Sequence, residues 1–324
     1  MTTLMLATTG GHLTQLHTLA SRLGASDDDV VWVTHDNEQS RSLLADVDVE
    51  FVPYVRVRNV PDVMRCVPHA RRLLQQRKIT RAISTGSGIA LGYLPFLAAR
   101  GVACHYIESA ARVEGPSITG TLMRRAPRVR TYSQYRHWSN RHWIYRGSLF
   151  DGFEPTVRQP GSDTVRVVVT VGTAAEFPFR RLVDNLLPLL GRDGLFEREV
   201  GRPVDVVWQT GCTPVHDLPI TANAFMPAKE LATLLERADV IVSHAGTGSA
   251  LAALAAGHQP ILVSREQHFG EAGDDHQRQL ALELSGRGLA ADVHVSAIGV
   301  DDLMTALRRG VRALATPPQF ELCS

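Results

Sequence analysis

Short apolar runs punctuated by turns recur at residues 4–7, 30–34, 82–84, 103–107 and 129–132. After a gap they resume at 165–171, 204–209, 220–224, 240–243 and 260–263. Most lack polar alternation, and such runs predict strands covered on both faces, which requires parallel sheets with helical crossovers. Helical spacing fills the intervals: Leu13, Leu16, Ala20 and Leu23 recur at a period of about 3.6, as do Leu231, Leu234 and Leu235. The stretch 151–164 is polar and contains Pro155, Pro160, Gly152 and Gly161, the composition of a linker. The pattern predicts an α/β protein of two doubly wound, Rossmann-like domains facing a central cleft. Their expected bounds are 1–153 and 164–324, with 154–163 as linker and the last helix packing back on the first domain.

In doubly wound sheets, ligands collect at the carboxyl ends of the strands. Four loops lie there: Thr8-Thr9-Gly10-Gly11-His12, Thr85-Gly86-Ser87-Gly88, Gly172-Thr173 and His244-Ala245-Gly246-Thr247-Gly248-Ser249. Glycine lets the backbone approach a ligand, and the first N–H groups of the following helix attract a diphosphate. The stretch 240–257, a strand running into a Gly-rich turn and an apolar helix, is the strongest diphosphate candidate. The hydroxyls of Thr247 and Ser249 either add donors there or cap the helix. Gly86-x-Gly88-x-x-x-Gly92, with Glu108 further on, imitates a dinucleotide fingerprint. Its spacing is off by one residue and it does not follow the first strand, so neither nicotinamide nor flavin is expected.

Charge divides the chain unevenly. Residues 1–150 hold 19 Lys and Arg against 11 Asp and Glu, and the remainder 15 against 22, for a net charge of +1. The basic half suits an anionic partner such as a phospholipid surface or a pyrophosphate-bearing substrate, unless its arginines are simply solvated. Arg124-Arg125-Ala126-Pro127-Arg128-Val129-Arg130, followed by Tyr132, Tyr135, Trp138 and Trp143, combines cations with aromatics suited to an anionic lipid interface. No nucleic-acid motif accompanies them, and nucleic acid is not an expected partner. No apolar run is long enough to span a bilayer, and the first residues lack the basic start of a signal peptide. The four cysteines are scattered, as in a reducing cytoplasm. Asp27-Asp28-Asp29 and Asp46-Val47-Asp48 read as solvated turns, so no metal is expected.

The chain resembles a known group. Thr9-Gly10-Gly11-His12-Leu13, Ser84-Thr85-Gly86-Ser87-Gly88, Tyr106-Ile107-Glu108-Ser109-Ala110-Ala111-Arg112-Val113, Ser117-Ile118-Thr119-Gly120 and Arg146-Gly147-Ser148-Leu149-Phe150 resemble the acceptor-side, Alg14-like partner of two-component glycosyltransferases. Ser243-His244-Ala245-Gly246-Thr247-Gly248-Ser249, Phe269-Gly270-Glu271 and Asp274-Asp275-His276-Gln277 resemble the donor-side, Alg13-like partner, related to the C-terminal half of MurG. The two are fused here in the order of a complete GT-B enzyme of the glycosyltransferase 28 type. The resemblance implies an inverting, metal-independent hexosyl- or N-acetylhexosaminyltransferase. It implies a UDP-sugar donor and no cofactor, and a polyprenyl-diphosphate-linked acceptor in surface or exopolysaccharide synthesis. The expected place is the cytoplasm, peripheral on the inner face of the membrane.

The resemblance assigns uracil to Phe225 and Met226 and the donor sugar to Asp275, His276 and Gln277. The helix after the Gly-rich turn often carries a Glu for the ribose; here that position is Ala252, leaving Gln209, Asp275 or backbone groups. Gly246, Thr247, Gly248 and Ser249, with Gly172, Thr173 and His244, meet the diphosphate, and His268 flanks them. On the acceptor side stand Gly10, Gly11, Gly86, Ser87, Gly88, Ser109 and Arg112. Inversion needs a base: His12, with an ordinary pKa of about 6.5, or Glu108 as its rival. His12 is otherwise a ligand contact, and Glu108 otherwise orients His12, binds acceptor hydroxyls or pairs with Arg112. Two other functions stay open at this level, a UDP-sugar 2-epimerase and a non-catalytic nucleotide-sugar-binding subunit.

Overall fold

The computed structural model describes every residue except 1, 25–29, 57–58, 160, 162, 173–176 and 324. Thr173 and Asp27-Asp28-Asp29 therefore lie outside the described residues. The chain divides into two units, Met1–Gly152 with Thr316–Ser324, and Phe153–Ala315.

The first unit runs β1 (Thr2–Leu6), α1 (Gly11–Ala20), β2 (Val30–His35), α2 (Glu38–Leu43), β3 (Val49–Val52), α3 (Val60–Gln76) and β4 (Ile79–Ser84). It continues through α4 (Gly88–Ala98), β5 (Ala103–Ile107), α5 (Ile118–Met123), β6 (Val129–Ser133) and β7 (Trp143–Tyr145). Its seven strands form one parallel sheet in the order β3-β2-β1-β4-β5-β6-β7. All six residues of β2 and four of the five in β1 are buried. That two-sided burial is why the runs showed no alternation. Helix α4 is apolar around its circumference, with Ile89, Ala90, Tyr93, Leu94 and Leu97 buried, and α3 packs over it. The two helices lie close together at Gly92, where an added Cβ would stand 2.4 Å from the Cβ of Cys66.

The second unit contains β8 (Phe153–Val157), β9 (Val165–Thr170), α6 (Arg180–Leu190), α7 (Leu195–Val200), β10 (Val204–Gln209), β11 (Ala222–Asn223) and α8 (Ala228–Arg237). Then follow β12 (Val240–His244), α9 (Thr247–Ala255), β13 (Ile261–Val263), α10 (His276–Gly286), β14 (Ala291–Asp292), α11 (Val300–Ala306) and β15 (Arg309–Ala313). Six strands form a parallel sheet ordered β11-β10-β9-β12-β13-β14. The first six strands of each unit's sheet thus share one order. It reverses between β1 and β4 in the first unit and between β9 and β12 in the second, the switch points where such sheets bind ligands.

Three expectations are corrected. Part of the linker predicted at 154–163 is strand: β8 pairs antiparallel with β15, from Phe153 opposite Ala313 to Val157 opposite Arg309. Its Pro155 and charged residues hid it, but an edge strand tolerates both. The element returning to the first unit is no helix but a tail that begins at Thr316 and is non-helical over its described residues, 316–323, and α11 stays with the second unit. Tail residue Phe320 is 1% exposed and meets Tyr132 edge-on, while its N–H donates to the Arg22 carbonyl. Finally, Tyr132, Tyr135 and Trp143 are buried in the first unit and cannot serve as interfacial aromatics. The Tyr132 hydroxyl lies 2.9 Å from a His105 ring nitrogen and that of Tyr135 donates to the Ala110 carbonyl, partners that let both tyrosines sit inside.

Candidate functional site

Each unit presents a candidate site at its switch point. In the first, α1 begins at Gly11 directly after the loop from β1, so His12 lies in a helical first turn, and the loop after β4 lies beside it. The Nδ1–H of His12 donates to the Thr85 carbonyl at 2.8 Å, and the Thr85 hydroxyl donates to the His12 carbonyl at 2.8 Å. This reciprocal clasp fixes the ring and leaves Nε2 as the acceptor nitrogen of the neutral imidazole. Burial lowers the His12 pKa from its ordinary 6.5; the Thr85 carbonyl opposes that shift and the Arg112 charge adds to it. Gly86, at φ 122°, lets the backbone pass within contact distance of the His12 ring, where a side chain would crowd it. Ser87 also holds a positive φ, 72°, a conformation that costs a non-glycine residue about 1–3 kcal/mol. Gly88 opens α4, with Val55 occupying the space where a side chain would stand.

Two further acceptor-side candidates, Gly10 and Ser109, are tied down. The Gly10 N–H donates to Gln39 Oε1 at 2.6 Å. Ser109 accepts from Gln15 Nε2 at 3.1 Å, and Gln15 Oε1 accepts the Ala110 N–H at 2.8 Å. Gln15, buried and unmarked by any sequence motif, is thus what locks α1 to the loop after β5. Glu108 is 1% exposed, and both its oxygens accept hydrogen bonds. Oε1 takes the Tyr106 hydroxyl at 3.2 Å and the Ser109 N–H at 3.1 Å; Oε2 takes the Ser117 N–H at 2.9 Å and its hydroxyl at 3.1 Å. Burial raises the Glu108 pKa, and these four donors pull it back. Only glycine fits at position 120, since a Cβ there would stand 2.0 Å from Glu108 Oε2. Glu108 is a hub that holds the loop from β5 to α5.

In the second unit the switch-point residues crowd together. His244 ends β12, and Gly246 is the N-cap of α9, whose first turn is Thr247, Gly248 and Ser249. The His244 ring lies between two glycines. A Cβ on Gly246 would stand 2.3 Å from Nε2, and one on Gly172, which has φ 81°, would stand 2.7 Å from Cε1. Burial, then the Arg265 charge, pushes the His244 pKa down to about 3 against the pull of the Thr170 backbone. The ring is therefore neutral at any working pH. Its Nδ1 is buried without a hydrogen-bond partner. Gln209, at the end of β10, is buried, as is Met226, whereas Phe225 is exposed. Ala252 lies on α9 with no polar group to offer a ribose.

Around α10 the candidates separate. Asp275 occupies the N-cap position without a side-chain capping bond, and His276 pairs with Asp274. Gln277 is buried, and its Oε1 accepts the Arg265 N–H at 3.2 Å. His268 is exposed, 3.4 Å from Glu266, and its ring lies tilted against that of Phe269, 4.0 Å between centroids. Arg265 itself drew no attention in the sequence, although a cation two residues beyond the buried strand β13 is the available signal. No cluster of His, Cys, Asp and Glu suited to a metal occurs among the described residues. No described helix is long and apolar enough to cross a membrane.

Paired Rossmann-like units with glycine loops at both switch points define the GT-B class of glycosyltransferase folds. Residues 166–313, nearly all of the second unit, match the family model of the glycosyltransferase family 28 C-terminal domain. Among solved structures, Acinetobacter baumannii MurG aligns at TM-score 0.56 and 18% identity over 94% of this chain and 89% of that one. The Streptomyces nogalater glycosyltransferase SnogD aligns at TM-score 0.58 and 17% identity over 95% and 91%. The spinosyn rhamnosyltransferase SpnG, complexed with thymidine diphosphate, aligns at TM-score 0.52 and 12% identity over 95% and 90%. No curated protein matches the sequence.

Proposed function

We propose that the protein is an inverting glycosyltransferase that moves a sugar from a nucleoside diphosphate sugar, UDP-linked, to a polyprenyl-diphosphate-linked acceptor. The observation that carries this reading is the second unit's switch point, where the first turn of α9 opens beside Gly172 and His244 inside a family 28 domain. Backbone N–H groups fixed there meet the charge that develops on the departing diphosphate without reorganising during transfer. The first unit supplies the acceptor side. His12 Nε2 takes the proton of the acceptor hydroxyl, the Thr85 clasp holds the tautomer, and Glu108 acts at one remove by holding the loop of Ser109 and Arg112. His12 is preferred over Glu108 because its second nitrogen is uncommitted while all the Glu108 acceptor sites face protein donors.

The lipid-linked acceptor implies work at the inner face of the cell membrane. Helix α5 supports that reading better than the buried aromatics do. Ile118 and Leu122 are exposed on it, and Arg124 and Arg125 follow at once. Apolar groups flanked by cations suit an anionic lipid surface. Replacing both Ile118 and Leu122 by serine is expected to weaken sedimentation with phosphatidylglycerol vesicles and to leave donor binding unchanged.

The deciding experiment incubates the protein with a panel of UDP-, dTDP- and GDP-sugars and a polyprenyl-diphosphate-linked sugar. Release of a nucleoside diphosphate only when acceptor is present supports the proposal. Release from none of the donors sinks it. Because Ala252 offers the ribose nothing, the dTDP arm decides whether the donor nucleotide is read as uridine or as its deoxy analogue.

A further inference from the structure

We infer that Arg265 is the fixed cation of the donor site, a buried guanidinium that binds the diphosphate of the nucleotide sugar together with the first turn of α9. The inference rests on the donor role proposed for the second unit and adds a residue that the sequence motifs do not mark.

The placement follows from the sheet. Arg265 stands just past β13, and its Nη2 donates to the carbonyl of Val171, just past β9. Strand β12 lies between those two, so the side chain crosses the end of β12 where His244 and the N-cap of α9 stand. Arg265 is 4% exposed, yet it forms no ion pair among the described residues. The acidic groups that act on it are Cys212 and then Glu271, whose carboxylate is already held by two hydrogen bonds from Arg181, each 2.8 Å. The Phe179 ring lies 5.7 Å from the guanidinium carbon, and a second buried atom, Arg265 Nε, has no hydrogen-bond partner.

A buried cation without a counter-charge is costly, and breaking or omitting such pairing typically destabilises by several kcal/mol. Two orphaned nitrogens in one crevice, Arg265 Nε and His244 Nδ1, compound that cost. A diphosphate at the N-terminus of α9 relieves both at once. It provides the missing anion in a desolvated setting where a charge-assisted hydrogen bond is strongest. His244 cannot take this role because it stays uncharged, and the glycines at 172 and 246 keep side chains out of the space between the ring and a ligand. The Gln277 bond to the Arg265 N–H then ties this cation to the start of α10, next to the residues assigned to the sugar.

The test is calorimetric titration of the whole protein with the nucleoside diphosphate it binds best among UDP, dTDP and GDP, and with the parent nucleoside. The readout is the ratio of the two affinities in wild type, R265Q and R265K, with near-ultraviolet circular dichroism as the check on folding. Removing the charge is expected to shrink that ratio about tenfold or more while nucleoside affinity stays put, and Lys keeps it within about threefold of wild type. An unchanged ratio in a folded R265Q overturns the inference and leaves the donor reading intact. If R265Q does not fold, R265K decides: a folded Lys variant whose ratio drops about tenfold overturns the role of charge. A wild type that binds none of the three diphosphates removes the donor reading and Arg265 with it.

Discussion

At His12 the local chemistry gives a direct expectation. In the role proposed for it the neutral form is the base, and burial lowers the pKa below 6.5, so the imidazole is ready throughout the neutral range. Activity should fall only as the solution is acidified through that lowered pKa. The acid limb of kcat/KM therefore lies below pH 6.5 in a pH–rate profile, and a limb above that value contradicts the assignment. His12→Gln should cost about 10²–10⁴ in kcat with donor KM nearly unchanged, as expected for a lost base. Glu108 gives the opposite signature. Glu108→Gln sets an amide N–H against groups that donate, so it should lower stability by about 1–3 kcal/mol in urea unfolding followed by tryptophan fluorescence. Its effect on the acid limb should be small. The sequence marked both residues and put His12 first, but it could not show what Glu108 faces, since a lone carboxylate at a strand end looks the same whether it meets a ligand or four protein donors. Arg265 was missed for a related reason: its partner, the carbonyl of Val171 just past β9, is far away in sequence, and no local pattern reveals it.

Among elements, the central strands were legible because burial on both faces writes an unbroken apolar run. The edges were not. Strand β3 reads Val-Glu-Phe-Val with one buried residue, β7 spans three residues and β14 two, so their patterns resemble loops. The Gly-rich turn into α9 was read as a diphosphate site from its residue types, but its tightness around His244 appears only in three dimensions. That tightness is testable. Gly246→Ala forces a methyl group onto the His244 ring, where its Cβ would stand 2.3 Å from Nε2. Overpacking of this kind costs about 1–3 kcal/mol, so nucleoside diphosphate affinity should fall about tenfold while the parent nucleoside binds as before. Titration calorimetry of the two ligands separates these outcomes.

For the whole molecule, the repeated layout of strands and helices and the shift from a basic to an acidic half were readable as two domains, and a return of the last element to the first domain was expected, but as a helix and not as a non-helical tail. The tail from Thr316 joins the first unit through Phe320 and through Arg22, which donates to the carbonyls of Pro318, Ser148 and Leu149 at 2.7, 2.8 and 3.1 Å. Phe320→Ala empties a buried ring site and should cost the first unit about 3–5 kcal/mol. Trp32, Trp138 and Trp143 lie in the first unit and Trp208 in the second, so fluorescence should report an earlier transition while His244→Gln leaves it in place.

The same tail has a consequence for biosynthesis. The ribosome makes the sheet of the first unit, then all of the second, and only afterwards the residues that complete the first unit's packing. The nascent first unit waits through that interval with the seat of Phe320 open, so premature termination or a stalled ribosome near residue 315 should yield chains whose later-made half is sound and whose earlier-made half is the substrate for quality-control proteases.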